Sequence, residues 1–241
     1  MFYLIENNID LEDLDKELLN HKLIGVDTEF RRKSKEDIKL ALIQINNGDE
    51  IFLIDCIAIG QYQGNCMFLK DSSVCKIFHS FREDIEAIFS WTNQELKNTF
   101  DTQLANAFLG GSFSISYQNL VEKMLDVKID KFETRSNWVR RPLRDAQLLY
   151  AASDVEFLLD LHQKQRQELE QLGRFSWLQE ELSYSKNKLE FQNLHNFLWL
   201  TFLDIRTNKN SVQNIIENWI DNNNDFYEET WKLDILSKRL I

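Results

Sequence analysis

Apolar residues recur along the chain at two different periods, and the switch between them lays out its elements. Residues 2–5 are a short apolar run that predicts an edge strand, and Leu11, Leu14, Leu18 and Leu19 then share one helical face. Leu23-Ile24-Gly25-Val26-Asp27-Thr28-Glu29-Phe30 reads as a buried strand whose last residues bring in two carboxylates. Residues 40–45 predict a second strand and 50–55 its return. Asn46-Asn47-Gly48-Asp49 between them is a hairpin signal, because Asn-Gly suits a turn that needs positive φ. These three strands predict an antiparallel meander. Strand and helix then alternate: a strand over 74–79, a helix over 83–89, a brief strand at 99–101, and helices over 102–109 and 117–125. Pro142 opens one long helix, predicted over 143–172. A meander followed by such units predicts an α/β fold on a mixed sheet, with parallel strands beside the meander and helices flanking it.

Composition narrows the class. The 241 residues, 43% hydrophobic and 28% charged, suffice for one large domain or a domain with an appendage. No apolar run reaches the length of a membrane span, so no membrane partner is expected. The first residues show neither a basic leader nor a cleavage site, and three cysteines (Cys56, Cys66, Cys75) lack metal-finger spacing. Both observations predict a cytoplasmic protein with reduced thiols. A net charge of −11 argues against nonspecific coating of nucleic acid but allows an enzyme that grips a few phosphates locally.

The acids carry the candidate chemistry. Asp27 and Glu29, two apart on a strand, point to one face. Such a pair fits a strand that ends in exposed acids, and equally fits a bound cation that offsets the repulsion. Asp84 falls in the first turn of a predicted helix, where capping explains an acid by itself. Tyr150 and Asp154, four apart, share a helical face; singly they fit a packed tyrosine and a solvent-facing acid. Together, Asp27, Glu29, Asp84, Tyr150 and Asp154 resemble, in order and spacing, the three motifs of the DEDD 3′→5′ exonuclease superfamily in its tyrosine branch. The histidine branch places its histidine five residues before the last acid, where this chain has Leu149. Within the superfamily the chain resembles the ribonuclease D family over residues 2–172. Val26-Asp27-Thr28-Glu29-Phe30, Leu42-Ile43-Gln44, Asp101-Thr102-Gln103, Trp138-Val139-Arg140-Arg141-Pro142-Leu143 and Tyr150-Ala151-Ala152-Ser153-Asp154-Val155 carry the match.

That resemblance implies a ribonuclease H-like sheet with the acid-bearing strand at its centre. It implies a 3′→5′ exoribonuclease that releases nucleoside 5′-monophosphates from RNA 3′ ends, with tRNA precursors as the family-suggested substrate. Two divalent cations, Mg2+ or Mn2+, are implied about 3.5–4 Å apart. Asp27 is expected to bridge them, Glu29 and Asp154 to complete the site of the ion holding the nucleophile, and Asp84 to serve the second ion through water. Tyr150 is expected to orient the attacking water rather than act as base, since a phenol is protonated at neutral pH. A DNA exonuclease of the same branch is the alternative. A catalytically silent RNA-binding relative is a third reading, which the intact five residues oppose.

Other residues fill in the expectation. His79 is read as structural, and His21, His162 and His195 as superficial. Asp101 is expected to support the site and to cap the following helix, and Trp138 to plug its loop into the core. Phe30 is a candidate stacking surface for the terminal base, with core packing as the alternative. Arg31, Arg32, Lys33 and Lys35 form a basic loop, and Lys131, Arg135, Arg140, Arg141 and Arg144 a second basic cluster. Lys131, Arg135 and Arg141 are the candidate phosphate contacts. Asn137 departs from the aspartate common in the family before this tryptophan. Residues 1–172 are read as the exonuclease domain and 173–241 as a helical C-terminal extension without a complete HRDC pattern. Its stripes include Phe191, Leu194 and Leu198, then Val212, Ile215 and Ile216.

Overall fold

The strand that carries Asp27 and Glu29 lies inside a six-stranded sheet, with three strands on one side of it and two on the other. The computed structural model describes residues 2–34, 37–62, 64, 66–129 and 136–184. Lys35, Lys131, Arg135, His195 and the stripes of the expected extension lie outside the described residues. The chain divides into two compact units, Met1–Leu182 and Ser183–Ile241, so the first unit runs on past residue 172.

The chain opens with β1 (Phe2–Ile5), α1 (Asn8–Leu18), β2 (Leu23–Arg32), β3 (Ile38–Asn46) and β4 (Ile51–Asp55). Two single-turn helices follow, α2 (Cys56–Ile59) and α3 (Met67–Lys70), too short to show a period in the sequence. Then come β5 (Cys75–Phe78), α4 (Arg82–Thr92), β6 (Thr99–Asp101), α5 (Thr102–Phe108) and α6 (Tyr117–Leu125). The last described elements are α7 (Asp145–Glu156), α8 (Leu158–Gln171) and α9 (Phe175–Tyr184). The sheet order is β1-β4-β3-β2-β5-β6. β2, β3 and β4 are the antiparallel meander, while β1, β5 and β6 join as parallel strands, β1 at one edge. The mixed sheet is thus of the kind the pattern predicts. In the hairpin, Gly48 takes φ +103° and its N–H donates to the Asn46 side chain at 2.8 Å.

The predicted long helix is broken at Phe157 into α7 and α8. In a continuous helix the Phe157 N–H would bond the carbonyl of Ser153. Instead the Tyr117 hydroxyl inserts between them, accepting from Phe157 N at 3.0 Å and donating to Ser153 O at 3.3 Å. The Asn46 amide donates to the carbonyls of Val155 and Glu156 at 3.1 and 3.0 Å. A side chain wedged into the hydrogen-bond ladder is a sufficient cause for the bend. Gly25 lies beneath it: a Cβ there would stand 3.1 Å from Leu158 Cβ and 3.3 Å from the Val155 carbonyl, so the close approach needs glycine. His162, expected at the surface, is 4% exposed, its ring edge-on to Phe100 at 4.6 Å. The sheet surface under α8 buries it, and burial with the nearby Arg166 charge lowers its pKa to about 4.

α7 packs against β2, β3 and β4 over a cluster of Ala41, Leu42, Leu53, Trp138 and Ala151. Trp138 is the plug its position suggested, at 5% exposure. Arg141 has a task other than the phosphate contact expected of it. Its Nε and Nη2 donate to the two Asp55 carboxylate oxygens, Nη1 to the carbonyls of Trp138 and Arg140, and Nη2 also to the carbonyl of Ala41. These acceptors match the five N–H donors of a guanidinium, leaving none for a substrate. Ala41 is the extra residue of a bulge where the β2–β3 register slips at Glu29/Phe30. Arg141→Met leaves Asp55, itself 1% exposed at its side chain, without its counter-charge. We expect a stability loss of about 3–5 kcal/mol in urea unfolding; unchanged stability with only a raised KM for nucleic acid would reinstate the phosphate contact.

Candidate active site

Three elements deliver the candidate acids. β2 presents Asp27 and Glu29 on one face by its two-residue alternation. α4 carries Asp84 in its first turn, and α7 carries Tyr150 and Asp154 one helical turn apart. The charges act on one another. Burial raises the Asp27 carboxyl well above the usual range, and the charges of Asp84, Asp154 and Glu29 raise it further. Burial, then Asp154 and Asp84, push Glu29 up to about 9. Burial pushes Asp84 and Asp154 each up to about 7, against the hydrogen bonds that Thr28 and Tyr150 give them. The Tyr150 phenol is raised too, by burial first and then by Asp154, Glu29 and Asp27. The structure therefore brings all five sequence-predicted residues into one electrostatic neighbourhood.

Neutral donors hold these acids in place. Thr28, on the opposite face of β2 from its neighbours, donates its hydroxyl to Asp84. Tyr150 and Asp154 stand one turn apart on α7, and the Tyr150 ring lies 6.1 Å from that of Trp138. Asp101 accepts Gln103 N and Leu104 N at 2.8 and 3.0 Å, capping α5. The same carboxylate accepts Ser80 N and Phe81 N at 3.2 and 3.0 Å, pinning the loop that starts α4. Ser80 sits there at φ +66°, a strained value for a serine, so this anchor fixes where Asp84 begins. Both His79 ring nitrogens are engaged, Nε2 donating to Ile115 O at 3.0 Å and Nδ1 paired with Thr102 Oγ1 at 2.9 Å. That histidine is a strut between β5, α5 and the loop before α6. Sequence reading passed over Thr28, Asn46, Asp55 and Tyr117. Only Thr28 had a signal, its place inside the Asp-x-Glu pair.

Phe30 is half-buried, with the Arg32 guanidinium 5.8 Å over its ring and Arg32 paired to Glu86 at 2.8 Å. Arg140 and Arg144 are exposed, and Arg144 donates to Ser136 Oγ at 3.0 Å.

The acids are a fit donor set for hard divalent cations: carboxylate oxygens only, gathered against their own repulsion. Among the described residues, no three His, Cys, Asp or Glu side chains are already closed around a single point. A family model described as 3′-5′ exonuclease matches residues 2–170. The chain belongs to the 3′-5′ exonuclease family. Ribonuclease D of Shewanella sp. (strain ANA-3) is 34% identical to the chain over 181 residues, 75% of the chain and 47% of the relative. The crystal structure of Escherichia coli RNase D, an exoribonuclease involved in structured RNA processing, matches with TM-score 0.73 and 31% identity, over 77% of the chain and 50% of that structure. Brucella melitensis NrnC with bound Mg2+ matches with TM-score 0.66 and 26% identity, over 77% of the chain and 89% of that one. The chain thus spans about half the length of the ribonucleases D it matches. Among its described residues no helix is long and apolar enough to cross a membrane.

The raised carboxyls set a pH dependence. An unfolded chain titrates its acids near pH 4, so between there and the folded values of about 7 and about 9 the folded chain holds the extra protons. Stability then falls as pH rises through that window. Melting in chelator should show Tm dropping from pH 5 to 8, a shallower drop for Asp27→Asn, and recovery at pH 8 on adding Mg2+ or Mn2+. A slope that Asp27→Asn leaves unchanged, with no response to either cation, would count against an acid cluster of this kind.

Proposed function

We propose that the chain is a metal-dependent 3′→5′ exoribonuclease that shortens RNA from its 3′ end and releases nucleoside 5′-monophosphates. The observation that carries the reading is the acid cluster itself: four carboxyls from β2, α4 and α7, raised by burial, beside a tyrosine that keeps its proton. We assign the exonuclease domain to residues 1–172, within the first compact unit. Structured RNA such as tRNA precursors is the substrate class we assign, by likeness to E. coli RNase D, and the cytoplasm its place.

Asp27, Glu29, Asp84 and Asp154 would hold two Mg2+ or Mn2+ ions, with Asp27 shared between them. When bound, such a pair supplies a lowered pKa for the attacking water and a counter-charge for the departing 3′ oxygen. The chain's own residues do the positioning. Tyr150 keeps its proton, because burial and the surrounding acids raise its phenol, so it serves as a donor that aligns the attacking water and not as a base. Asp154 follows one turn on, on the same face of α7. Thr28 and Asp101 fix Asp84, the first through its hydroxyl and the second through the backbone of the α4 entry.

The acids meet phosphate rather than sugar, so a DNA exonuclease is the reading to separate. Matched end-labelled RNA and DNA incubated with Mg2+ or Mn2+ should show stepwise loss from the 3′ end of RNA, abolished by chelator and by Asp154→Ala. Equal shortening of DNA would change the substrate class; cleavage inside a 3′-blocked strand, or activity that survives chelator, would sink the mechanism. Tyr150→Phe should lower kcat by roughly 10²-fold, the scale of one lost hydrogen-bond donor, while cation affinity stays near that of the parent chain.

A further inference from the structure

Gln44 stands on β3 directly opposite Asp27 of β2. Opposed residues of an antiparallel pair share a face. Its partner on the other side is Leu53 of β4, a member of the apolar cluster beneath Ala151 of α7. The side chain is fully buried, yet among the described residues neither Nε2 nor Oε1 has a hydrogen-bond partner. A buried amide without partners is a cost that leucine or methionine of similar size would not carry. Packing alone therefore does not account for a glutamine at this position. The next polar residue on the same face shows the contrast: the Asn46 amide is fully occupied with the carbonyls of Val155 and Glu156. Two residues nearer the acids, Gln44 has the Asp27 carboxyl as its polar neighbour by register.

We propose that Gln44 is a positioning residue for Asp27, its Nε2 donating to the Asp27 carboxylate when that group carries divalent cations. The proposal rests on the reading of Asp27 as a cation ligand. An ionised carboxylate only accepts, with about four lone-pair sites, so cation ligation and one amide donor are compatible. The donated bond forms with the ionised, cation-bearing carboxylate and fixes which way it faces. No proton moves; Gln44 acts by direction alone. Partners of this kind are worth about 10–100-fold in metal affinity or activity when removed.

The test uses the full 241-residue chain with Gln44→Leu and Gln44→Met, beside the parent and Asp27→Asn. Three quantities are read: melting in chelator, Mn2+ affinity from the electron paramagnetic resonance signal of the free ion, and kcat and KM on end-labelled RNA. Both apolar variants are expected to melt at or above the parent temperature. They should bind Mn2+ about 10–100-fold more weakly and lose kcat with KM for RNA unchanged. Melting well below the parent overturns the proposal, because Gln44 would then be holding the fold together. Parental Mn2+ affinity in both variants, while Asp27→Asn has lost it, overturns the proposal and leaves the cation-ligand reading standing. Parental affinity in Asp27→Asn removes that reading, and the proposal with it.

Discussion

Four carboxylates gathered at one end of a sheet repel one another, and much of the polar structure around β2 counters that repulsion. The donors are neutral and local. Thr28 gives its hydroxyl to Asp84, and Tyr150 keeps its proton one turn before Asp154. Asp101 is a further acid close by, yet four backbone N–H groups donate to its carboxylate and turn it into an anchor for the α4 entry. None of these contacts neutralises the cluster. They place it, and the raised carboxyls show how much positive charge the arrangement still calls for. Wholly buried apolar residues of β3 and β4, among them Leu42, Ile43, Ile45, Leu53 and Ile54, provide the hydrophobic stabilisation that offsets this strain.

The same economy joins the core to the site through Arg141. A bulge at Ala41 of β3 shifts the β2–β3 register immediately after Glu29. Arg141 bonds the Ala41 carbonyl and both oxygens of Asp55, and through Trp138 O it ties down the loop that leads into α7. The bulge, the Trp138 plug and the start of the helix bearing Tyr150 and Asp154 are therefore one connected unit. A basic residue beside the acid cluster is here part of the scaffold.

What could be read in the chain and what could not divides by sequence distance. The Asp27–Glu29 pair and the Tyr150–Asp154 pair are local spacings on a strand and a helix, so their geometry follows from periodicity, and the alternation of elements predicts the mixed sheet. The break at Phe157 is invisible to periodicity because Tyr117 and Asn46, 40 and 110 residues away, cause it. Arg141 looked available for phosphate because its partner Asp55 lies 86 residues earlier. His162 looked superficial because nothing near it in sequence shows that Phe100 will cover its ring. The misread residues were those whose partner is remote, and each turned out to serve packing or capping.

The four-residue interval between Tyr150 and Asp154 has a consequence for the chemistry. On regular helix only residues three or four apart share a face, and α7 is unbroken across this interval. Leu149, at the position where the related branch carries histidine, is accordingly 63% exposed and turned away. A histidine there could change charge near neutral pH; Tyr150, raised by burial and by three acids, cannot. The tyrosine thus offers a fixed donor in place of a titrating base. In the proposed mechanism activation of water must then come from the charge the carboxylates gather, which makes their exact placement by Thr28, Asp101 and the α7 dock the determinant of rate.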